Sequence, residues 1–440
     1  MVNNNLIFVS IASYRDPELL PTLRDLFTKA KNPELLRIGL CWQRHESEDI
    51  GEFLYNNNVR IYECDWTESK GACWARHIIQ KFLYEDEEFY FQLDSHHRFK
   101  EHWDEHLIKL YQEAPSEKPI IGGYATTYWP ERPDEPLEQT AYRITTFDTF
   151  TEDGDIISRP QNIVNSADLK KQNIKLIPAR LLSGHFIFTS GEFCKTCMYD
   201  PNLYFRGEEI TLSARAYTHG YDMYHPTEPV VWHEYLRPKQ HKHWEDHIEQ
   251  SAFDVTAGAR DIRSKQRQRI LFGMEDYQNL DFKNYGFGNK RTLHEYELYA
   301  GLDFKNRRVH KYAARINDFE NFPEPYVMSE EEWNEGMLTK YEITVQWDYD
   351  KIPDDVDYDF WFFGFEDIDN KLLWRTDFKA EEGDDYYQNF FTKKFNTHRA
   401  VFSCFGVPHH CVIIPHTRGG DWTTEKIIIE VLPDGQKNSD

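Results

Sequence analysis

Short apolar runs alternate with amphipathic segments along the first two thirds of the chain. The runs "NLIFVSIAS", "RIGLCWQ" and "VRIYECD" have the length and composition of strands, while "DPELLPTLRDLFTKA" repeats leucine at helical spacing. Strands that alternate with helices are typical of a parallel sheet with right-handed connections. The pattern therefore predicts an α/β domain over residues 1–308.

The pattern changes beyond about residue 308. Runs such as "YEITVQWDY" and "DYDFWFFGFED" are β-branched or aromatic, are separated by acidic turns and show little helical periodicity. Runs of this kind are typical of the strands of a sandwich. The sequence therefore predicts a connector over residues 309–339 and a smaller all-β, sandwich-like accessory domain over residues 340–440.

Composition and charge narrow the class of protein. A chain of 440 residues, 40% of them hydrophobic, can form more than one packed core. The formal net charge of −24 argues against binding nucleic acid through a broad basic surface. The first apolar run is too short for a signal peptide or a membrane span, and the seven cysteines show no disulfide pattern. We therefore expect a cytoplasmic protein without a membrane span.

Polar loops follow several of the predicted strands, at the points where open α/β sheets bind their ligands. The segments "ASYRD", "CDWTESKG" and "DSHHR" each come directly after an apolar run. Because the carboxyl ends of parallel strands meet at one edge of a sheet, we expect these loops to converge there. This edge is the candidate site.

Asp94 and His96 follow the apolar run "FYFQLD" and are separated by one residue. In extended geometry both side chains point to the same side, and a carboxylate with an imidazole suits Mn²⁺ or Zn²⁺. A turn closed by an Asx-type hydrogen bond is the alternative. His233 follows another apolar run, in "PVVWHEY", and could supply a third ligand. Together these positions favour a metal site.

Two acidic residues, Glu208 and Glu209, stand just before a predicted helix. Negative charge is favourable at a helix N-terminus, so stabilisation of the helix is one explanation. Binding of sugar hydroxyls or action as a base is the other.

The segment "QHKHWEDHIEQ" is rich in histidine, but Trp244 stands where the zincin protease motif requires glutamate. Three basic residues, Arg237, Lys239 and Lys242, lie close by in an otherwise acidic chain. A loop that folds over a diphosphate is therefore the better interpretation.

Several of these motifs together resemble a known group of enzymes. "DSHHRF", "YFRGEEITLSARAYTHGYD" and "VVWHEY" resemble the GT-A-fold retaining glycosyltransferases that attach α-linked N-acetylhexosamine to polypeptides. A nearer likeness, to the cytoplasmic α-N-acetylglucosaminyltransferases that modify hydroxyproline, is carried by "SYRDPEL", "DSHHRF", "GEE" and the later "GFGNKRTLHEYELYAGLDF". It covers about residues 5–305. The resemblance implies a Rossmann-like, nucleotide-sugar-binding GT-A domain and retaining transfer of GlcNAc from UDP-GlcNAc to a serine, threonine or hydroxyproline hydroxyl of a protein.

The resemblance also assigns roles to individual residues. It makes Asp94, His96 and His233 the ligands of Mn²⁺ or another divalent cation, with the diphosphate of the UDP-sugar completing the shell. The catalytic residues that it implies are Asp94, Glu208 and Glu209. The residues expected to bind the nucleotide-sugar are Ser13, Tyr14, Arg15, Gly71, Arg76, Gly184, His185 and Arg237.

Other functions are compatible with the same residues. One is a transferase of the same fold that acts on a glycan or another non-protein acceptor, and another is a non-catalytic module that binds sugar or protein. A metal-dependent hydrolase is disfavoured because the chain lacks a His-Glu-x-x-His motif. Where the polypeptide N-acetylgalactosaminyltransferases have Trp-Gly-Gly-Glu-Asn, this chain has Phe-Arg-Gly-Glu-Glu, a difference that leaves the donor sugar open.

Overall fold

The computed structural model describes residues 5–132, 135–137, 143–162, 171–235, 237, 240–248, 255–276, 280–313, 329–347, 358–379, 397–417, 420, 422–423 and 427–431. The first elements are β1 (Ile7–Tyr14), α1 (Leu19–Lys29), β2 (Leu36–Arg44), β3 (Val59–Asp65), α2 (Ala72–Phe82), β4 (Phe89–Asp94), β5 (His97–Phe99), α3 (Trp103–Glu113), β6 (Pro119–Gly122) and β7 (Thr126–Thr127). They are followed by β8 (Arg143–Phe150), β9 (Ile156–Asn162), β10 (Leu176–Pro178), β11 (Phe186–Ser190), α4 (Phe193–Thr196), α5 (Glu208–Thr218), β12 (Asp222–Pro226) and β13 (Val231–His233).

The remaining elements lead into and form the C-terminal region. Before it come α6 (His243–Asp246), α7 (Ala257–Leu271), α8 (Leu293–Ala300), β14 (Leu302–Asp303), β15 (Arg308–Val309) and α9 (Glu330–Glu335). The C-terminal strands are β16 (Thr339–Gln346), β17 (Tyr358–Glu366), β18 (Leu372–Lys379), β19 (Thr397–Cys404), β20 (His410–Thr417) and β21 (Ile427–Glu430).

A mixed sheet of eight strands, in the order β10-β12-β6-β11-β4-β1-β2-β3, forms the centre of the N-terminal region. As the sequence pattern predicts, β1 pairs in parallel with β2 and with β4, and β2 pairs in parallel with β3. By contrast, β11 runs antiparallel to β4 and β6. The parallel strands bring their carboxyl ends to one edge of the sheet, where Tyr14 and Asp94 lie.

The central strands are mostly apolar because hydrophobic cores cover both faces of the sheet. Along β1, Phe8 belongs to one core, whereas its neighbours Val9 and Ile11 belong to the other, and all three are fully buried. Alternate side chains of a strand point to opposite faces, so a strand between two layers is apolar at most positions, with only a few buried polar residues such as Ser10 and Gln92. This explains why such runs show no polar alternation in the sequence.

A second, three-stranded sheet begins directly after the end of β4. In it β13 lies between β5 and β7, and His233 pairs with His97 across the β5–β13 ladder. The short connection from β4 to β5 holds only Ser95 and His96. The pairing therefore brings His233 next to a turn that is more than a hundred residues earlier in the chain.

The C-terminal strands form a two-stranded sheet, β16-β19, and a four-stranded sheet, β18-β17-β20-β21. The two sheets share one hydrophobic core, to which Ile343 and Phe402 contribute from the first sheet and Phe363 and Ile413 from the second. This core is separate from the two cores of the N-terminal region. The predicted fold class, an α/β domain followed by a smaller all-β domain, is confirmed.

The chain before β16 packs against the N-terminal region. Within the predicted connector, residues 314–328 lie outside the described residues, while α9 buries Trp333, whose indole N–H donates to the carbonyl of Leu302 at 3.0 Å. Leu338 also belongs to an N-terminal core. The boundaries at 308 and 340 stay predictions.

Among the described helices, none combines the length and the apolar character that a membrane crossing requires.

Candidate active site

Asp94, His96 and His233 come together at the carboxyl edge of the large sheet. The Nε2 atom of His233 lies 3.3 Å from Oδ2 of Asp94, and Nε2 of His96 lies 4.0 Å from the same oxygen. One ligand atom from each of the three side chains lies within 4.8 Å of the others. A carboxylate and two imidazoles at this spacing fit a borderline divalent cation.

The electrostatics of these three side chains also fit a cation. Burial opposes ionisation of Asp94, but the hydrogen bond to His233 and the guanidinium of Arg76 outweigh it and hold the pKa of Asp94 well below its usual range. Burial lowers the pKa of His233 to about 4, so its imidazole is neutral at pH 7. An ionised carboxylate and a neutral imidazole are the forms that bind metals.

A buried carboxylate, Asp16, fixes the orientation of His96. Its Oδ2 lies 2.8 Å from Nδ1 of His96 and also accepts a hydrogen bond from the Ser95 hydroxyl. Its other oxygen, Oδ1, lies 2.8 Å from Nη2 of Arg237. The Nε2 atom of His96 is therefore left facing Asp94, as in other sites where a carboxylate orients a metal-binding histidine. Sequence reasoning missed Asp16, although its position at the end of "ASYRD" places it at the same edge.

Arg76 joins the predicted metal ligands to the acidic pair. From within α2, its Nη2 donates to Oδ1 of Asp94 at 2.8 Å and its Nη1 donates to Oε1 of Glu208 at 2.7 Å. The other oxygen of Glu208 accepts from the thiol of Cys73 at 3.1 Å. Arg76 is only 3% exposed, so one buried cation pairs with two carboxylates and leaves a net negative charge on the three groups.

Gly184 and Glu209 occupy the adjoining part of the site. The N–H of Gly184 donates to Oε1 of Glu209 at 2.7 Å, and the Ser183 hydroxyl donates to the same oxygen at 3.3 Å. A Cβ atom at position 184 would lie 2.7 Å from Oε1 of Glu208 and 2.9 Å from Nη1 of Arg76. Glycine at 184 therefore lets the backbone pass beside this ion pair.

Burial and the neighbouring charge of Glu208 raise the pKa of Glu209 to about 7. The folded state therefore binds more protons at this residue than the unfolded chain does between the ordinary value of 4.5 and about 7. The stability that the protonated form supplies is lost as the pH rises through this window.

We expect Glu209→Gln, which cannot ionise, to withstand more urea than the wild type at pH 8. At pH 5 the difference should shrink, because most wild-type Glu209 is then protonated in the folded state. Urea unfolding at both pH values measures it, with Glu105→Gln, an exposed position on α3, as the matched control. An advantage of Glu209→Gln that is the same at both pH values would contradict the assignment.

His185 packs behind the predicted metal ligands. Its Nε2 accepts the N–H of Ala125 at 3.1 Å and lies 3.0 Å from the hydroxyl of Tyr235, and its ring centroid is 4.5 Å from that of His233. Burial, together with the neighbouring His233, holds the pKa of His185 well below its usual range. His185 is therefore an uncharged ring that packs against His233.

Sequence reasoning missed Tyr235, because an aromatic residue after a strand carries no distinctive signal.

The histidine-rich segment is attached to the end of β1. Oδ2 of Asp246 accepts one hydrogen bond from the Tyr14 hydroxyl at 2.9 Å and another from Nη1 of Arg15 at 2.8 Å. His243 and His247 both have their Nδ1 atoms within hydrogen-bond distance of the Tyr204 hydroxyl, at 3.1 and 2.9 Å. The segment therefore lies beside the candidate site, while Lys239 falls outside the described residues.

A cleft of about 470 Å³, here called the donor cleft, joins these features. Of the residues predicted from the sequence, those that line it are Tyr14, Arg76, Asp94, His96, Gly184, His185, Glu208, Glu209, His233 and Arg237. Ser13, Arg15 and Gly71 do not line it. Gly71 has φ +102°, and a Cβ atom there would lie 2.6 Å from the carbonyl oxygen of Tyr204. Backbone geometry and close packing therefore explain the glycine at this position.

Comparisons with known proteins give a match to one family. The model of the family described as "Glycosyltransferase (GlcNAc)" matches residues 6–54 and 50–306. No curated protein matches the chain.

Solved structures of sugar transferases also align with the chain. GalNAc-T7 with UDP, GalNAc and Mn²⁺ aligns at 12% identity with a TM-score of 0.48, covering 97% of this chain and 71% of that one. S. aureus TarS 1–349 aligns at 11% identity with a TM-score of 0.35, covering 63% and 77%. Its complex with UDP-GlcNAc aligns at 12% identity with a TM-score of 0.34, covering 60% and 72%. These identities are too low to indicate a shared substrate.

Proposed function

The chain belongs to the GlcNAc glycosyltransferase family, and we propose that it transfers N-acetylglucosamine from UDP-GlcNAc to a protein hydroxyl with retention of configuration. The family match confirms the resemblance to GlcNAc transferases and the predicted enzyme class, a hexosyltransferase. The mixed α/β sheet with its additional β domain resembles GT-A glycosyltransferases. The observation that carries the finer proposal is the meeting of a potential cation site with the Arg76–Glu208 pair in one cleft.

We propose that Asp94, His96 and His233 hold Mn²⁺ or a similar cation. Bound there, the cation supplies positive charge to the diphosphate, which becomes more negative as the sugar leaves. Arg237 and Lys242 line the same cleft, where Arg237 pairs with Asp16 at 2.8 Å and Lys242 pairs with Glu245 at 2.9 Å. The proposed cation site and these two basic side chains together support a diphosphate as the ligand at this end of the cleft.

The acidic pair supports a sugar at the adjoining end. Glu208 has one oxygen hydrogen-bonded to Arg76 and the other to the Cys73 thiol, contacts that favour a role in binding its neighbours over a role as a covalent nucleophile. Direct displacement on one face of the sugar agrees with this arrangement and gives retention. The acceptor oxygen forms a bond to the anomeric carbon, the bond to the diphosphate breaks with its electron pair, and the hydroxyl proton passes to the departing diphosphate oxygen.

A reducing, cytoplasmic environment is part of the proposal. All seven cysteines are buried and none is in a disulfide. Buried free thiols are stable where disulfides do not form, which agrees with a cytoplasmic protein.

The proposal is tested by incubating the protein with UDP-GlcNAc, UDP-GalNAc, UDP-glucose and UDP-galactose in Mn²⁺ and measuring UDP release. We expect UDP-GlcNAc to be turned over fastest, with slow transfer to water in the absence of an acceptor. The anomeric configuration of the product, followed by NMR, should be that of the donor. No release from any of the four, or an inverted product, would overturn the proposal.

A further inference from the structure

A second cleft, also of about 470 Å³, shares Phe205, Glu208 and Glu209 with the donor cleft. Its other wall is the antiparallel hairpin of β8 and β9, to which Asp155 and Ile157 belong. We call it the hairpin cleft. The two clefts therefore meet at the acidic pair, one on the side of the predicted cation site and one against the hairpin.

We propose that the hairpin cleft binds the acceptor, and that the acceptor enters it as an extended peptide segment whose hydroxyl group reaches Glu209. This inference rests on the proposed function, because it assigns the second substrate of the same reaction. Nothing in the sequence motifs identifies this site, since the hairpin residues carry no catalytic pattern.

The manner in which β9 borders the cleft favours an extended peptide. Three consecutive residues of β9, Ile156, Ile157 and Ser158, line the cleft. Successive side chains of a strand point to opposite faces, so a cleft lined by consecutive residues lies along the edge of the strand. In the part of the chain that the structure describes, β9 pairs with β8 and with no other strand. An extended peptide can pair with such an edge through its main chain.

The side chains of the hairpin cleft suit a peptide of mixed character. Ile157, Leu181 and Phe205 provide apolar contacts, while Asp155 and Arg206 provide charges of both signs. Peptide side chains that alternate along a strand can use such pockets for specificity while the main chain supplies affinity.

Glu209 is placed to orient the acceptor hydroxyl. Its Oε1 is fixed by the Gly184 N–H and the Ser183 hydroxyl, whereas Oε2 has no hydrogen-bond partner among the described residues. A carboxylate oxygen that is held in place on one side and open on the other can accept a hydrogen bond from an incoming hydroxyl. Glu209 is thus a contact of the acceptor, and the Arg76–Glu208 pair belongs to the donor.

The C-terminal domain holds the hairpin in position. The Thr149 hydroxyl of β8 lies 2.8 Å from the Ser403 hydroxyl of β19, and both residues are buried. Near the hairpin turn, Nη2 of Arg399 lies 3.3 Å from a carboxylate oxygen of Glu152. These contacts give the accessory domain a role in binding the acceptor, because they fix the strand whose edge the peptide would meet.

The test measures how the full-length protein divides UDP-GlcNAc between a peptide and water. Wild type, Ile157→Trp and Ser158→Trp are supplied with UDP-GlcNAc, Mn²⁺ and a synthetic peptide library that contains serine, threonine and 4-hydroxyproline. Glycosylated peptide and free GlcNAc are quantified by mass spectrometry. Ile262→Trp, at an exposed position on α7 outside the cleft, is the matched control.

We expect the ratio of peptide transfer to hydrolysis to fall about tenfold or more in both cleft variants, because an indole fills the space that the peptide requires, and to stay at the wild-type value in Ile262→Trp. Two substitutions are used so that a folding defect in one does not decide the result. An unchanged ratio in a folded variant overturns this inference but leaves the proposed function intact. If the wild type releases UDP but glycosylates no peptide, the peptide assignment is wrong. Absence of UDP release from the wild type refutes the proposed function itself, and with it this assignment.

Discussion

Replacing Asp94 with asparagine is expected to lower kcat for UDP-GlcNAc turnover by about 100-fold or more. Asparagine keeps the shape of the side chain but removes its negative charge. In the wild type the Asp94 carboxylate accepts a hydrogen bond from Arg76 and faces both histidines. His96→Ala and His233→Ala each remove one proposed ligand and should produce losses of similar size. The loss in kcat should exceed the loss in substrate binding, because charge on the diphosphate is greatest in the transition state.

The measurement is steady-state UDP release over a range of Mn²⁺ concentrations, with circular dichroism to establish that each variant is folded. His106→Ala is the matched control, since this half-buried histidine lies 3.1 Å from Glu228 and does not line the donor cleft. Near-normal turnover of all three variants in metal-stripped buffer would show that the segment around Asp94 is only a turn.

Arg76→Met is expected to destabilise the protein by about 3–5 kcal/mol, because it leaves the buried carboxylate of Glu208 and the half-buried carboxylate of Asp94 without their cation. Arg76 is 3% exposed and donates to both Asp94 and Glu208. Methionine fills much of the same volume, so the loss reports mainly on charge. Activity should fall as well, since Glu208 loses the donor that holds one of its oxygens.

Equilibrium unfolding in urea measures the effect of Arg76→Met, with Arg24→Met as the matched control. Arg24 makes two hydrogen bonds of 2.9 Å to Glu52, but both side chains are 56% exposed. An exposed pair of this kind contributes only about 0–1 kcal/mol. Equal destabilisation by the two substitutions would contradict the bridging role of Arg76.

The pattern of the sequence predicts the parallel part of the fold well. Apolar runs of strand length became β1 to β4, and the leucine spacing became α1, in which Leu19, Leu23 and Leu26 are buried. Local patterns suffice here because these strands lie between two hydrophobic cores. The antiparallel insertion of β11 beside β4 is not evident from the sequence, since strand order depends on contacts between distant segments.

The same distinction applies to the site. Asp94, His96 and His233 stand at strand ends, so their types and positions point to one edge of the sheet, and the structure places them together. The role of Asp16 depends on a 2.8 Å contact across eighty residues, which no local pattern encodes. The hairpin cleft is hidden for the same reason, because its walls come from β9 and from the loop before α5.

Asp94, His96 and His233 are proposed to bind one cation behind the diphosphate of the donor. The most direct test of this site is a Mn²⁺ titration followed by electron paramagnetic resonance, carried out with UDP on the wild type and on Asp94→Asn. We expect the wild type to bind a single Mn²⁺ per chain more tightly when UDP is present, and Asp94→Asn to lose this binding while remaining folded. Equal Mn²⁺ binding by the two proteins, or no binding by the wild type with UDP, would contradict the claim.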